Sequence, residues 1–228
     1  ERSSVDNVRV RDLHIDRTTG EIRAAGPGEV WTVRRELKGL PGGGLVPTSR
    51  PTVNEATNKL SYVCVTFQGE IVGDINRREM TFHRDVDTIY GQVSRWNERV
   101  VATRAEDLGD TGLRVLSDTL KVTEMAMSPE QKWIELEAAG NTRAEGLKFF
   151  AQADRISYTS DKDQLIIASD GRGLAQFWYR AAPGVRESHV TARRFIFQRS
   201  NGALQMDDAQ SIDIGSLPPS DKPAPKLR

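Results

Sequence analysis

The sequence predicts an all-β fold built of repeated antiparallel hairpins. The first observation behind this is a five-point apolar skeleton that recurs in four places. It consists of a small apolar residue, an anchor three positions later, and apolar residues two, nine and eleven positions past the anchor. The second is that the six residues between the two apolar runs hold turn formers each time: Gly20, Pro129, Asp161 with Asp163, and Asn201 with Gly202. The third is spacing, because the anchors Met125, Ile156 and Phe195 follow one another at 31 and 39 residues, a period typical of stacked supersecondary units.

The first copy is "VRDLHIDRTTGEIRAAGPG", with Val10, anchor Leu13, then Ile15, Ile22 and Ala24. A strand presents alternate side chains on one face, so Leu13 with Ile15, and Ile22 with Ala24, predict one greasy face of an antiparallel hairpin. The intervening positions, Arg11, Asp12 and His14, are polar. Residues 1–37 form this first repeat. The stretch 38–58, "KGLPGGGLVPTSRPTVNEATN", is too dense in Gly and Pro for either regular element and reads as a surface loop or linker. Residues 59–214 carry the remaining repeats, in one domain with 1–37.

Within that span, 62–90 is a degenerate fifth copy around "NRRE", with Ile71 and Met80 at the nine-residue offset. Cys64 stands between Val63 and Val65 and reads as a small core residue rather than a nucleophile. The segment 94–113, "SRWNERVVATRAEDLGDTGL", is read as a further hairpin around "DLGDTG", a short helix being the alternative. The second good copy places Val122, Met125, Met127, Ile134 and Leu136 at the matching offsets. The third places Ala153, Ile156, Tyr158, Leu165 and Ile167, and the fourth Ala192, Phe195, Phe197, Leu204 and Met206.

The step from the small residue to the anchor is odd, so that residue either faces outward or precedes a bulge. Gly28, Gly140 and Gly171 lie fifteen residues past three of the anchors, where a glycine permits a sharp corner at a strand end. The end of the chain, 215–228, is an extended Pro-rich tail.

Composition narrows the function classes. Lys plus Arg and Asp plus Glu each number 32, so no net field draws the chain to nucleic acid. No run of about 18 apolar residues offers a spanning helix. The chain opens at Glu1 without a leader and reads as a mature or excised form. One cysteine leaves no intrachain disulfide, and His14, His83 and His189 are isolated, so no metal site is expected. No phosphate-binding glycine motif and no paired acid and base stand out, so neither a cofactor nor an enzymatic activity is expected. Trp31, Trp96, Trp133 and Trp178 read as core or rim residues.

"ADRISYTSDKDQLIIASDG" and "ARRFIFQRSNGALQM" resemble the OstA/LptA-like repeat of lipopolysaccharide transport proteins, found in LptA, LptC and the periplasmic part of LptD. The resemblance implies an elongated antiparallel β-jellyroll, a folded V-shaped sheet of repeated hairpins whose groove holds lipid acyl chains, lipopolysaccharide or another, in a periplasmic, non-enzymatic transport protein. It also implies edge-strand pairing with other proteins of the family or with a second copy. Carried over by position, the groove candidates are Leu13, Ile15, Ile22, Met125, Ile134, Leu136, Ile156, Tyr158, Leu165, Ile167, Phe195, Phe197, Leu204 and Met206. Arg193 and Arg194 are candidates for a lipid head group. The other reading of the same residues is a β scaffold or binding module with a closed core, contacting protein or glycan through its outer surface.

Overall fold

The computed structural model describes residues 4–35, 60–102, 105–109, 112–126, 132–159, 162, 164–171, 173–180, 186–198 and 203–213. Among these residues, twelve antiparallel strands form one sheet. They are β1 (Ser4–Ile15), β2 (Glu21–Arg35), β3 (Leu60–Phe67), β4 (Glu70–Asp74), β5 (Glu79–Val93) and β6 (Leu113–Ala126). The second half holds β7 (Lys132–Gly146), β8 (Phe149–Thr159), β9 (Gln164–Ala168), β10 (Ala175–Tyr179), β11 (Ser188–Gln198) and β12 (Ala203–Asp213). The all-β, antiparallel expectation holds, and 4–35 and 60–213 contribute to the same sheet. The expected loop at 38–58 and the tail at 215–228 lie outside the described residues.

β3 and β4 lie end to end between β2 and β5, and β9 and β10 lie end to end between β8 and β11. The twelve strands therefore fill ten ranks, and each rank pairs with its neighbours in sequence, as in a meander. Side chains that mimic a backbone turn close the hairpins. The Asp16 carboxylate accepts from the Thr18 and Thr19 N–H groups at 2.7 and 3.2 Å, and Asp74 accepts from Asn76 and Arg77 at 2.8 and 3.0 Å. Those backbone bonds hold the Asp16 carboxyl below its ordinary range.

Every rank is interrupted near its middle. The pairing register shifts around Asp12 in β1, Arg84 and Asp85 in β5, Ser117 and Asp118 in β6, Gly140 and Asn141 in β7, Asp154 in β8, and Ala192 in β11. β2 is interrupted at Gly26, the third rank at Gln68–Gly69, and the eighth between β9 and β10. Asp12, Arg84, Asp85, Asn141 and Asp208 have φ between 45° and 65°, the left-handed region in which Asp and Asn are the best tolerated of the residues with a Cβ. Gly140 and Gly171 have φ of 78° and 104°. These glycines, expected at strand ends, mark the interruption inside the ranks instead.

Aligned interruptions fold the sheet. Phe177 pairs with Val190, and the five-residue step from Val190 to Phe195 would separate them by about 16 Å on a flat strand. Their ring centroids are 6.1 Å apart. Phe67 and Phe82 meet in the same way at 5.6 Å. The crease thus turns two arms toward each other, an upper arm with Val30, Val65 and Phe177 and a lower arm with Ala24, Leu120 and Phe195. Two core clusters join the arms. One contains Phe67, Val86, Ile71 and Phe82, the other Ala151, Phe177, Ile156 and Phe195. Ala153 and Ala192, the small residues before two anchors, are buried in the second cluster, so the odd step in the repeat is the crease bulge.

The segment 94–113 corrects one expectation. Among the described residues it holds no hairpin, only a 3-10 turn (Ala105–Leu108). Trp96 and Val100 from this segment pack on the outer side of the upper arm, against Val33, Leu60, Tyr62, Cys64 and Val93. Gly91 allows this approach, since a Cβ there would meet Val100 at 3.1 Å.

Candidate functional site

The register generates two apolar rows that cross all ten ranks on the inner face. The upper row runs Val8, Val30, Val65, Thr88, Val115, Ala144, Ala151, Phe177, Val190 and Ile212. A lower row runs Ile15, Ile22, Gly73, Met80, Val122, Leu136, Tyr158, Leu165, Phe197 and Leu204. Between that row and the crease lie Ala24, Ile71, Phe82, Leu120, Ala138, Ile156, Ile167 and Phe195, all buried.

The two halves of this interior differ in closure. Toward the C-terminus the arms pack shut, with Ile167 and Phe195 at 0% exposure and Tyr158, Leu165, Phe177 and Phe197 buried around them. Phe149 and Phe177 stack at 6.1 Å, with Gly146 leaving room for the Phe149 ring. Toward the N-terminus the lining is smaller. Val10, Val30, Val63, Met80, Val115 and Val122 pack against the core cluster but are only partly buried, and Ile22 and Leu136 are half-buried beside them. Aliphatic side chains held there by a rigid sheet leave apolar surface in contact with water, a surface that favours an apolar ligand.

The sequence-derived candidates divide accordingly. Ile156, Tyr158, Leu165, Ile167, Phe195 and Phe197 sit together in the closed half, with Leu204 and Met206 packed against them. Ile22, Ile134 and Leu136 are half-buried and share the inner face by alternation. Leu13 and Ile15, on the edge strand β1, are 53% and 47% exposed. Met125 is corrected. It pairs with Trp133, whereas Ile134 pairs with Glu124 and Leu136 with Val122, so Met125 lies on the opposite face from Ile134 and Leu136. The crease in β6 falls at Ser117–Asp118, which makes Leu120 and Val122 the inner pair and puts a template anchored at Met125 one residue out of phase. Arg193 and Arg194 are both exposed, with Arg193 held to Asp208 at 2.9 Å. Arg194 shares the outer face with Ala168 and Asp207.

The outer face of the upper arm was not expected to carry a cluster. Trp31 stacks on Tyr62 at 6.3 Å, and the Arg99 guanidinium lies 5.7 Å from the Trp31 ring centre and pairs with Glu29. Cys64 is buried beneath, its thiol facing the Glu29 carboxylate at 3.6 Å. Burial pushes both the Cys64 thiol and the Tyr62 phenol above their ordinary values, so the thiol stays protonated and unreactive. The signal for a second face was present in "LSYVCVTF", whose apolar residues fall on both faces of β3. Next to this cluster, Arg114 makes a two-point contact with Asp87 at 3.0 and 2.7 Å and reaches Glu145 at 3.5 Å. These bonds and charges raise its already high pKa.

Two surface pockets have linings of mixed polar and apolar character. One of about 530 Å3 sits at the crease among Asp12, Arg23, Gln68, Glu70, His83 and Arg84. The other lies along the lower arm beside Lys121, Glu135, Glu137 and Ser157. Among the described residues, no three His, Cys, Asp or Glu side chains gather in a way that would hold a metal ion. No protein-family model and no curated protein matches the chain.

Proposed function

We propose that the protein is a non-enzymatic lipid carrier of the lipopolysaccharide-export type, which holds acyl chains between the arms of its creased sheet and works in the periplasm. The observation that carries the reading is the half-buried aliphatic lining of the N-terminal half, Val30, Val63, Met80, Val115 and Val122. Each methylene that moves from water onto this surface contributes about 0.8 kcal/mol. Shape complementarity to one rigid head is unnecessary for such a ligand, which fits a groove lined mostly by valine.

Partners join at the two sheet edges. β1 and β12 each pair on one side only among the described strands and run in opposite directions, so a second copy, or a related protein, adds to either edge as an antiparallel strand. Val8 and Ile212, the two ends of the upper row, are 53% and 52% exposed. Head-to-tail pairing brings them side by side and continues the apolar rows from one molecule into the next.

The competing reading, a scaffold with a closed core, is favoured by the packed C-terminal half around Phe195. The two are separated by photo-crosslinking in the native envelope with the probe at Val122, on the inner rim, and at Lys121 beside it on the outer face. A lipid adduct at 122 and none at 121 is expected. A folded protein that gives no lipid adduct at 122 returns the inner face to a purely structural role.

A further inference from the structure

We infer that Arg34 fixes the orientation of the ligand, by taking an anionic head group at the rim of the upper arm while the apolar chain lies toward the crease. This rests on the groove reading above.

The placement follows from register. Arg34 lies four residues beyond Val30 on β2, with no register shift between them in either ladder, and so shares the inner face with Val30 and Thr32. It pairs with Ser61 of β3, whose hydroxyl donates to the Arg34 carbonyl at 3.4 Å and which is buried on the same face. The inner face of β2 is thus aliphatic near the crease and becomes cationic about 13 Å away, at its rim. An amphiphile has the same order of parts.

The guanidinium is also unsatisfied. Its Nε–H is buried and has no acceptor, although buried donors in folded proteins are nearly always paired. Among the described residues no carboxylate lies within ion-pair reach of it. The nearest acidic group on its face by register is Asp6, opposite Thr32, and that carboxylate already accepts from the Thr32 and Ser4 hydroxyls at 2.5 and 3.0 Å. Near the lower rim, Arg78 and Glu124 form an ion pair at 2.7 Å. Arg34 is therefore a planar donor fork with an open side, which suits a phosphate or carboxylate oxygen. Arg194 lies on the outer face and Arg193 is held by Asp208, so neither offers this arrangement.

The test is displacement of a fluorescent naphthylamine dye from the full chain by dodecyl phosphate, by dodecanol and by inorganic phosphate, for the native protein and for Arg34→Gln. The native protein is expected to prefer dodecyl phosphate over dodecanol by about tenfold, the scale of one charge-assisted contact. Arg34→Gln is expected to bring the two within about twofold while leaving dodecanol affinity unchanged, and Arg34→Lys to restore part of the preference. Displacement by both dodecyl ligands with equal affinity in the native protein overturns the Arg34 assignment and leaves the groove standing. A preference that survives in Arg34→Gln also overturns it. Displacement by inorganic phosphate at the same concentrations as dodecyl phosphate identifies a free-anion site instead of a head-group site. Displacement by none of the three refutes the groove itself.

Discussion

The contact between Phe177 and Phe195 gives a direct handle on the crease, because only a folded sheet brings these rings to 6.1 Å. Phe195→Ala removes a side chain with 0% exposure from the centre of the larger core cluster, and a loss of about 4 kcal/mol is expected. Phe177→Ala removes a buried ring that also stacks on Phe149, and costs about 3 kcal/mol. The double variant then loses less than the sum of the two, by about 1 kcal/mol, since each single change already abolishes the shared contact. Urea unfolding of the four proteins, followed by tryptophan fluorescence and by circular dichroism, measures this coupling. Additivity to within about 0.3 kcal/mol is what two unconnected sites would give. That result would mean that the arms do not meet, and the groove geometry would fall with it.

The remaining predictions concern the crease, the thiol and the edges. Gly140→Ala forces a Cβ into a left-handed position and against Asp118, so it destabilises by at least about 1–2 kcal/mol. Gly171→Ala, with nothing within 4 Å of its Cβ, costs less, and equal losses in urea would show that the crowding at Gly140 is unimportant. Native Cys64 and Tyr62 keep their protons above the pH at which the unfolded groups lose them. Their contribution is therefore complete below about pH 8.5 and declines as pH rises further. Thermal melts from pH 7 to 10 show a falling Tm with a shallower slope in Cys64→Ala, and identical slopes would contradict the burial of the thiol. Val8→Lys or Ile212→Lys puts a charge on one sheet edge and shifts sedimentation toward the monomer. A native chain that stays monomeric at all concentrations removes self-pairing from the proposal.

The hairpins were legible where a repeat coincides with the crease. Around Ile156 and Phe195, the small residue, the bulge and the anchor follow in the same order, and the alternation reads straight onto the inner face. On β6 the crease falls earlier, and the apolar Met125 imitated an anchor while Leu120 and Val122 filled the role. Alternation reports which residues share a face, but not where a bulge inverts it. The 94–113 segment misled for another reason. Trp96 and Val100 are apolar because they cover the outer face, and a pattern of burial against another part of the chain is indistinguishable in sequence from burial within a strand. Arg34 escaped notice because nothing local distinguishes it from the solvated arginines nearby. Its significance depends on the lack of a partner for its buried Nε–H among the described residues.

The order of the ranks matters for how the molecule comes into being. Because each rank pairs with the rank before it in the chain, most ladders join segments that are near in sequence, and loop-closure entropy is met in small instalments. Such a chain assembles from either end, hairpin upon hairpin, as a zipper closes. A polypeptide that emerges end first into a crowded compartment can thus bury its apolar rows as they arrive, exposing one growing edge at a time rather than the whole greasy face.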